Sequence, residues 1–320
     1  MASSGFPRCG GFPTSERIPE HVPVAESGPP REVPRNRHPA LSVRARPCDL
    51  DQVGPTRDED WLPDDVDFDT PSAARLYDYY LGGRHNFAPD RELAHRIYQV
   101  FPEMPVLARA NRAFLRRAVR HLLQRGVRQF VDIGCGLPTA GAVHEIALES
   151  DPEARVVYVD NEPVAVAHSD LMLRDEPRAT ILRGDLRAPD AILRGPRTRE
   201  LLDLDQPVAV LMVAVLHFVG DDEQPARLLR DYRQLLNPQD YLVVSHASGD
   251  TLPSASGAAE LYRNSQNSAH LRSHAEIREL LADYTLHEPG LVFLPEWEPE
   301  HPADAEGAAS CSFYGALAQP

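Results

Sequence analysis

Apolar residues recur at two different spacings along the chain, and the change of spacing divides it into three parts. Residues 1–62 are rich in proline and arginine and show little apolar periodicity, so we expect a disordered tail. Between residues 63 and 125, apolar positions at helical spacing predict helices over Arg91–Val100 and Val106–Gln124. We expect this segment to form a helical lid on the domain that follows it.

A shorter apolar stripe precedes these two helices. Thr70 is a typical helix N-cap residue, and Pro71 suits the first helical turn. The stripe ends at Gly82-Gly83, because adjacent glycines interrupt a helix. We therefore predict a short helix that starts near Thr70-Pro71.

From residue 126 to residue 320, short apolar runs alternate with helical patterns. The predicted strands are Gln129–Ile133, Arg155–Val159, Thr180–Leu182, Val208–His217, Tyr241–Ser245, Leu291–Phe293 and Ser312–Ala316. The predicted helices between them are Thr139–Glu149, Pro163–Leu173 and Gln224–Leu236, and a capping box at Ser273 and Glu276 begins another. This alternation predicts an α/β fold with a Rossmann-like, doubly wound and mostly parallel sheet.

Composition excludes several classes of chemistry. The chain has 33 basic residues, all of them arginine, and its net charge is −15. Without lysine, it cannot contain a Walker P-loop, a pyridoxal phosphate Schiff base or the strand lysine of a protein kinase. Because nucleic-acid binding depends on neutralising phosphates, the acidic balance also argues against a nucleic-acid partner.

The four cysteines include no CxxC pair, so neither a zinc site nor a disulfide framework is expected, and we predict no bound metal. No apolar run is long enough to span a membrane, and no secretory leader is visible at the N-terminus. We therefore expect a soluble, cytoplasmic protein that does not associate with membranes.

The residues between the first and second predicted strands carry the strongest chemical signal. Gly134 and Gly136 follow the first strand, where close glycines allow a sharp turn and let a ligand approach the backbone. Asp132 lies two residues before this turn. Asp160 ends the second strand, where a carboxylate can accept hydrogen bonds from both ribose hydroxyls. The combination predicts a bound cofactor of the adenosine type.

The flanking residues favour one such cofactor. A dinucleotide fingerprint would continue with glycine or alanine, whereas this chain has Pro138-Thr139, and proline removes a donor that a pyrophosphate needs. The carboxylate of Asp132 suits a cationic amino-acid group. Asp185 ends the third strand, where an adenine amino group could be recognised. We therefore predict S-adenosylmethionine rather than NAD, with Asn161 and Leu186 completing the cofactor-binding set; alternatively, Asp160 and Asp185 only cap the helices after them.

In these motifs the chain resembles the class I S-adenosylmethionine-dependent methyltransferases. More narrowly, it resembles an actinobacterial family of S-adenosyl methyltransferases that was long known only as a domain of unknown function. The matching stretches include residues 71–83, 110–114, 132–141, 158–163, 216–218 and 245–247. The resemblance implies the fold, the cofactor and a methyl transfer, with Gly134 and Gly136 against the methionine part, Asp160 on the ribose and Asp185 near the adenine. It implies no particular acceptor.

Methyl transfer from a sulfonium needs positioning, exclusion of water and, for some acceptors, a base. His217 is the candidate base, because it follows the fourth predicted strand and a neutral imidazole can take a proton from the acceptor. Alternatively, His217 packs beneath the cofactor or hydrogen-bonds a loop. His246, at the end of the fifth strand, is a second candidate on the same grounds.

A cluster of polar and aromatic residues lies between the first two predicted helices, at Tyr80, Arg84, His85 and Asn86. We predict that it forms part of a lid that covers the cofactor and shapes an acceptor pocket. Arg84 could also pair with the methionine carboxylate. The alternative is a plain helix stop with core tyrosines and a solvated arginine.

The best-supported hypothesis is a methyltransferase that uses S-adenosylmethionine to modify a small molecule. Two alternatives stay open: a protein that binds the cofactor as a sensor or scaffold without catalysis, and an NAD-dependent oxidoreductase. The oxidoreductase is disfavoured by Pro138 and Thr139 and by the absence of a Tyr-x-x-x-Lys pair. The sequence predicts neither the acceptor nor the oligomeric state.

Overall fold

The computed structural model describes residues 66–137 and 141–320. The predicted tail and the boundary predicted between residues 62 and 63 lie outside these residues, as do Pro138 and Thr139. The fold is therefore considered from residue 66 onward.

Within residues 66–128, three helices precede the sheet: α1 (Ala73–Tyr80), α2 (Ala88–Val100) and α3 (Met104–Gln124). The first begins later than predicted, with Ser72 rather than Thr70 at the N-cap position. The backbone at Ser72 is still extended, and its N–H donates to the carboxylate of Asp90 at 2.9 Å. This contact with α2 delays the first helical turn.

The sheet has eight strands in the order β3-β2-β1-β4-β5-β8-β6, with β7 also paired to β8. Strands β1 to β5 pair in parallel, whereas β8 pairs antiparallel with β5, β6 and β7. In chain order, the strands are β1 (Gln129–Ile133), β2 (Arg155–Asp160), β3 (Ala179–Arg183), β4 (Val208–Val213), β5 (Tyr241–Ala247), β6 (Thr285–Leu286), β7 (Val292–Phe293) and β8 (Phe313–Gln319). The predicted mostly parallel Rossmann-like sheet is confirmed.

Helices cover both faces of this sheet. They are α4 (Val143–Ser150), α5 (Pro163–Met172), α6 (Pro189–Leu193), α7 (Pro196–Leu201), α8 (Pro225–Leu235), α9 (Pro253–Tyr262) and α10 (His274–Leu280). Side chains of β1 alternate between two cores: Phe130 packs with α3 and α4 on one face, whereas Val131 and Ile133 pack with α8 and α10 on the other. The doubly wound arrangement follows from this alternation.

The fourth strand is shorter than predicted. It ends at Val213, because Ala214 adopts a positive φ of 59° and its N–H donates to Oγ of Ser245 on β5. The apolar run continues as a 3-10 turn over Leu216–Phe218. The predicted strand was longer because Val215 and Leu216 are apolar like the strand residues before them. In the structure both are buried, but beside the sheet rather than within it.

A buried ion-pair cluster joins the helices before the sheet to the second strand. Arg75 on α1 donates to Asp90 on α2 at 2.9 Å and to Glu162, just after β2, at 2.6 Å. Its remaining N–H groups reach the carbonyl oxygens of Asp67 and Thr70. Because Glu162 lies two residues from Asp160, this cluster fixes α1 over the end of β2.

Candidate active site

A deep cavity opens at the carboxyl ends of the parallel strands. It contains about 1560 Å³ of non-atom space, a volume that includes open solvent at its mouth. The ends of β1, β2 and β4 and the turn after β3 form one part of its wall, and α1, α3 and α9 supply much of the rest.

The turn after β1 lies in this wall and requires glycine. Gly134 and Gly136 have positive φ angles of 69° and 62°. A Cβ at Gly134 would overlap the side chain of Val215, lying 2.8 Å from its Cβ. The N–H groups of Gly134 and Cys135 donate to the carbonyl oxygen of Val159 at 2.8 and 3.2 Å. These amides are therefore not available to an anionic ligand.

Asp160 closes the same turn from β2. Its carboxylate accepts the N–H of Gly136 at 2.7 Å and the N–H of Glu162 at 2.9 Å. Burial raises the pKa of Asp160, against the backbone N–H groups that lower it. A carboxylate offers about four lone-pair sites, so these N–H groups do not use all of them. The third amide of the glycine turn is thus engaged as well, which is unfavourable for a pyrophosphate.

Asp132 is the other acidic residue of this region. It lies on β1, lines the cavity and is only 5% exposed. Among the described residues, no group donates a hydrogen bond to its carboxylate. The pKa of Asp132 is raised to about 7, chiefly by burial; the guanidinium of Arg112 opposes this rise and the carboxylate of Asp160 adds to it. A buried carboxylate without a donor is costly, which points to a cationic or donor group from a ligand.

The remaining predicted cofactor residues divide into two groups. Asn161 and Leu186 lie in the cavity wall, as does Gly184. Asp185 does not, because its carboxylate accepts the backbone N–H of Arg187 at 2.9 Å and pairs with the guanidinium of the same residue at 3.1 Å. The structure therefore places Asp185 as a cap on its own turn rather than at the cavity, which disagrees with its predicted contact with adenine.

His217 lies in the cavity wall on the 3-10 turn after β4 and is 6% exposed. No described residue hydrogen-bonds its imidazole, and Nδ1 is buried without a partner. Burial lowers the pKa of His217 well below its usual range, and the nearby His246 and Arg272 lower it further. The ring is therefore neutral at pH 7, and because Nδ1 is buried, Nε2 is the nitrogen that can meet a ligand.

His246 differs from His217 because both of its nitrogens are engaged. Arginine only donates, so Nε2 of His246 accepts from Arg272 at 3.1 Å. The proton must then lie on Nδ1, which donates to the carbonyl oxygen of Ala247 at 2.7 Å. Burial lowers the pKa of His246 to about 3. It lies outside the cavity wall and does not serve as a base there.

Arg272 also holds the turn that carries His217. Its guanidinium donates to the carbonyl oxygen of Val219 at 2.8 Å and to the carboxylate of Asp221 at 2.6 Å. This buried arginine was not identified from the sequence, because only the fold brings residue 272 beside residues 216–221.

Of the four predicted lid residues, only Tyr80 lies in the cavity wall. Arg84 is exposed, and His85 contacts His168, with ring centroids 3.9 Å apart and the ring planes tilted by 57°. The amide of Asn86 is buried and donates to Asp78 and to the carbonyl oxygen of Gly83. The structure therefore assigns Asn86 to shaping the turn after α1, and it does not bring Arg84 or His85 to the cavity.

Other residues line the cavity where Arg84, His85 and Asn86 were predicted to lie. Arg112 on α3 and Tyr262 on α9 both line the cavity. Asn111 accepts from Oγ of Ser245 at 2.6 Å and donates to the hydroxyl of Tyr77 at 2.9 Å. This network connects α1, α3 and β5 across the floor of the cavity. Helical spacing placed these residues on helices but could not show which faces meet.

Two kinds of feature are absent from the described residues. Within residues 66–137 and 141–320, no three His, Cys, Asp or Glu side chains are arranged to hold a metal ion. No helix of this part of the chain combines the length and apolar character needed to cross a bilayer.

The fold and the cavity together define a Rossmann-like protein with a cavity at the carboxyl ends of its parallel strands. The chain belongs to the S-adenosyl methyltransferase family, whose family model matches residues 59–320. It is thus an S-adenosylmethionine-dependent methyltransferase, which confirms the predicted class and cofactor.

Two solved structures are similar over most of the chain. A DUF574 family protein from Streptomyces avermitilis MA-4680 is 37% identical, with a TM-score of 0.75 over 79% of this chain and 98% of that one. A putative methyltransferase from Thermobifida fusca YX is 34% identical, with a TM-score of 0.75 over 81% of this chain and 98% of that one. No curated protein matches the chain.

Proposed function

We propose that the cavity holds S-adenosylmethionine at the carboxyl ends of β1 to β3 beside a small-molecule methyl acceptor, and that His217 receives the acceptor's proton. The observation that carries the proposal is the buried carboxylate of Asp132. It lies in the cavity wall without a described hydrogen-bond donor, beside a turn whose amides at Gly134, Cys135 and Gly136 are all engaged. Such a site favours a cationic amino-acid group over a pyrophosphate.

The proposed cofactor contacts follow from the groups in the wall. Asp160 would accept hydrogen bonds from the ribose hydroxyls with its remaining lone pairs, and Leu186 would pack against the adenine. Asp132 would face the amino group of the methionine part. Arg112, rather than Arg84, is the cation of the α3 wall that would attract the methionine carboxylate.

His217 supplies the proposed base. When bound, the cofactor provides a methyl group already activated by its sulfonium. As the acceptor's hydroxyl or amine took that methyl group, its attacking atom would become positively charged. The oxonium formed from a hydroxyl is a much stronger acid than an imidazolium, so the neutral imidazole of His217 would take its proton even with a low pKa.

Two features support a small acceptor rather than a macromolecule. The cavity lies beneath α1, α3 and α9, so an acceptor would have to enter it largely whole. The net charge of −15 disfavours a nucleic acid.

Calorimetry tests the cofactor assignment directly. S-adenosylmethionine and S-adenosylhomocysteine should bind, and NAD should not. Asp160→Ala should weaken binding of both by about 1–3 kcal/mol, or roughly 5- to 150-fold in Kd, because a buried polar partner is removed. Asp190→Ala, a change of an exposed carboxylate on α6, is the matched control. Binding of NAD alone, or equal affinity in both variants, would contradict the assignment.

Cofactor affinity should also depend on pH through Asp132. Because its pKa is about 7 in the free protein, the carboxylate is protonated below that pH and charged above it. A cationic ligand binds the charged form, so affinity should fall about tenfold between pH 8 and pH 6. Asp132→Asn should remove this tenfold difference in affinity. Any pH dependence that comes from titration of the cofactor itself should be the same in both proteins. Titration calorimetry at pH 6 and pH 8 measures the affinity of each protein. An unchanged pH dependence in the variant would show that Asp132 does not face the cofactor.

A further inference from the structure

The cavity wall is divided by charge. Its charged side chains are Arg112 and the residues at the ends of β1 to β3, namely Asp132, Asp160, Glu162 and Arg187. Another part of the wall comes from the last turn of α1, the α2–α3 connection with the start of α3, Phe218 after β4, and α9; among the described residues, no side chain from these segments that lines the cavity is charged. We call this part the acceptor wall; it is defined by Tyr80, Phe101, Met104, Phe218, Ala258 and Tyr262.

Two tyrosine hydroxyls supply the polar group at the centre of the acceptor wall. Tyr80 and Tyr262 are 3% and 7% exposed, and their hydroxyl oxygens lie 3.1 Å apart. Burial raises the pKa of both, so both are neutral and carry their protons. One proton forms the hydrogen bond between them. Among the described residues, the second proton has no acceptor.

Tyr77, another cavity tyrosine on α1, shows the contrast. Its hydroxyl donates to the carbonyl oxygen of Ala108 at 3.1 Å and accepts from Asn111 at 2.9 Å. The donor capacity of Tyr77 is therefore used within the protein, whereas the Tyr80–Tyr262 pair keeps one donor for a ligand.

From these observations, and resting on the proposed function, we infer the class of acceptor. The acceptor wall takes an uncharged, largely apolar ring compound that carries a carbonyl oxygen, and that oxygen accepts the second hydroxyl proton of the Tyr80–Tyr262 pair. The uncharged wall excludes a charged group, because no described counter-ion is present to offset its desolvation. The apolar side chains of the acceptor wall favour a ring, and the Tyr80–Tyr262 hydroxyl pair selects for the carbonyl oxygen.

A matched pair of probes tests this inference without turnover. 6-Methoxy-1-tetralone and 6-methoxytetralin differ only in the carbonyl oxygen, and neither ionises. In protein saturated with S-adenosylhomocysteine, calorimetry or ligand-observed NMR should show about 5- to 10-fold tighter binding of the tetralone, as expected for one additional hydrogen bond. 5,6,7,8-Tetrahydro-2-naphthoate, which carries a charge, should not bind.

Variants distinguish the effect of the hydroxyl pair on probe binding from the effect of the pocket's shape. The preference should persist in Tyr80→Phe or Tyr262→Phe, because the remaining hydroxyl still has its proton. The double variant should lose the preference but keep its affinity for S-adenosylhomocysteine, since removing both partners of a buried hydrogen bond changes stability little. Tyr79→Phe, whose hydroxyl contacts His95 outside the cavity wall, is the control and should retain the preference.

The outcomes distinguish this inference from the proposed function. If S-adenosylhomocysteine itself fails to bind, the proposed function is wrong. If it binds but the protein shows no preference for the tetralone, the carbonyl inference is wrong and the cofactor assignment stands. Absence of binding by both neutral probes, or tighter binding of the naphthoate, overturns the acceptor class even if the double variant does not fold.

Discussion

Replacing His217 with alanine is expected to lower the rate of methyl transfer by about 10²- to 10⁴-fold, the usual contribution of a positioned general base. Affinity for S-adenosylhomocysteine should be largely unchanged, because the proposed role of His217 is toward the acceptor. The rate of S-adenosylhomocysteine formation is measured with whichever hydroxy- or amino-substituted ring compound the unaltered protein methylates fastest.

The control and the alternative are both measurable. His301→Ala changes an exposed histidine outside the cavity wall and should leave the rate intact. If His217 only packs beneath the cofactor, the alanine variant will instead lose affinity for S-adenosylhomocysteine while its maximal rate stays close to normal. That result would remove the base from the mechanism.

The pH profile adds a second readout for His217. Its pKa is held well below 6.5 by burial, so the imidazole is in its working, neutral form throughout the neutral range. At saturating cofactor, the rate should therefore stay level from neutral pH down to the depressed pKa and fall only below it. A rate that declines near the ordinary histidine pKa would contradict the assignment.

Replacing Arg75 with alanine is expected to destabilise the fold by about 3–5 kcal/mol, because it leaves two buried carboxylates without their counter-ion. Arg75 is fully buried and bonds both Asp90 and Glu162. Burial raises the pKa of Glu162 even with Arg75 beside it. Without the arginine both carboxylates would have to remain charged in the interior or take up protons.

Urea unfolding measures the change, with Arg84→Ala as the matched control. Arg84 lies nine positions further along the chain but is exposed, so its loss should change the free energy of unfolding little. The loss in Arg75→Ala should also shrink at acid pH, because Glu162, whose pKa burial raises, then takes up a proton and no longer leaves a charge in the interior. A change of less than about 1 kcal/mol at neutral pH would mean that the cluster behaves like a surface ion pair.

Strand–helix alternation in the sequence was sufficient to predict the architecture. The predicted strands from Gln129 to Ser245 correspond to β1 to β5, and the ends of those strands carry Asp132 and Asp160 as expected. Local sequence is informative here because a buried parallel strand must be apolar along its whole length. The two-residue β6 was not predicted, because so short a strand leaves no pattern of its own.

The site was predicted less completely than the fold. The glycine turn, Asn161, Leu186, His217 and Tyr80 do lie in the cavity wall, whereas Asp185, Arg84, His85 and Asn86 do not. The misplaced residues are polar and close in sequence to the site. Asp185 and Asn86 find partners close by in the chain, at Arg187 and Gly83, whereas His85 contacts the distant His168 and Arg84 is exposed. Spacing alone cannot show whether a polar side chain near the site finds such a partner.

By itself, the sequence determined the sheet, the position of the sharp turn at Gly134 and Gly136, and the acids beside it, because each depends on a local requirement for apolarity, positive φ or charge. Tertiary structure alone decided which distant residues meet. It brought Arg75 to Glu162, Arg272 to the turn of His217, and Tyr80 to Tyr262 across 182 positions. These contacts depend on how helix faces pack against the sheet edge, and that packing is set by the whole core rather than by any one segment.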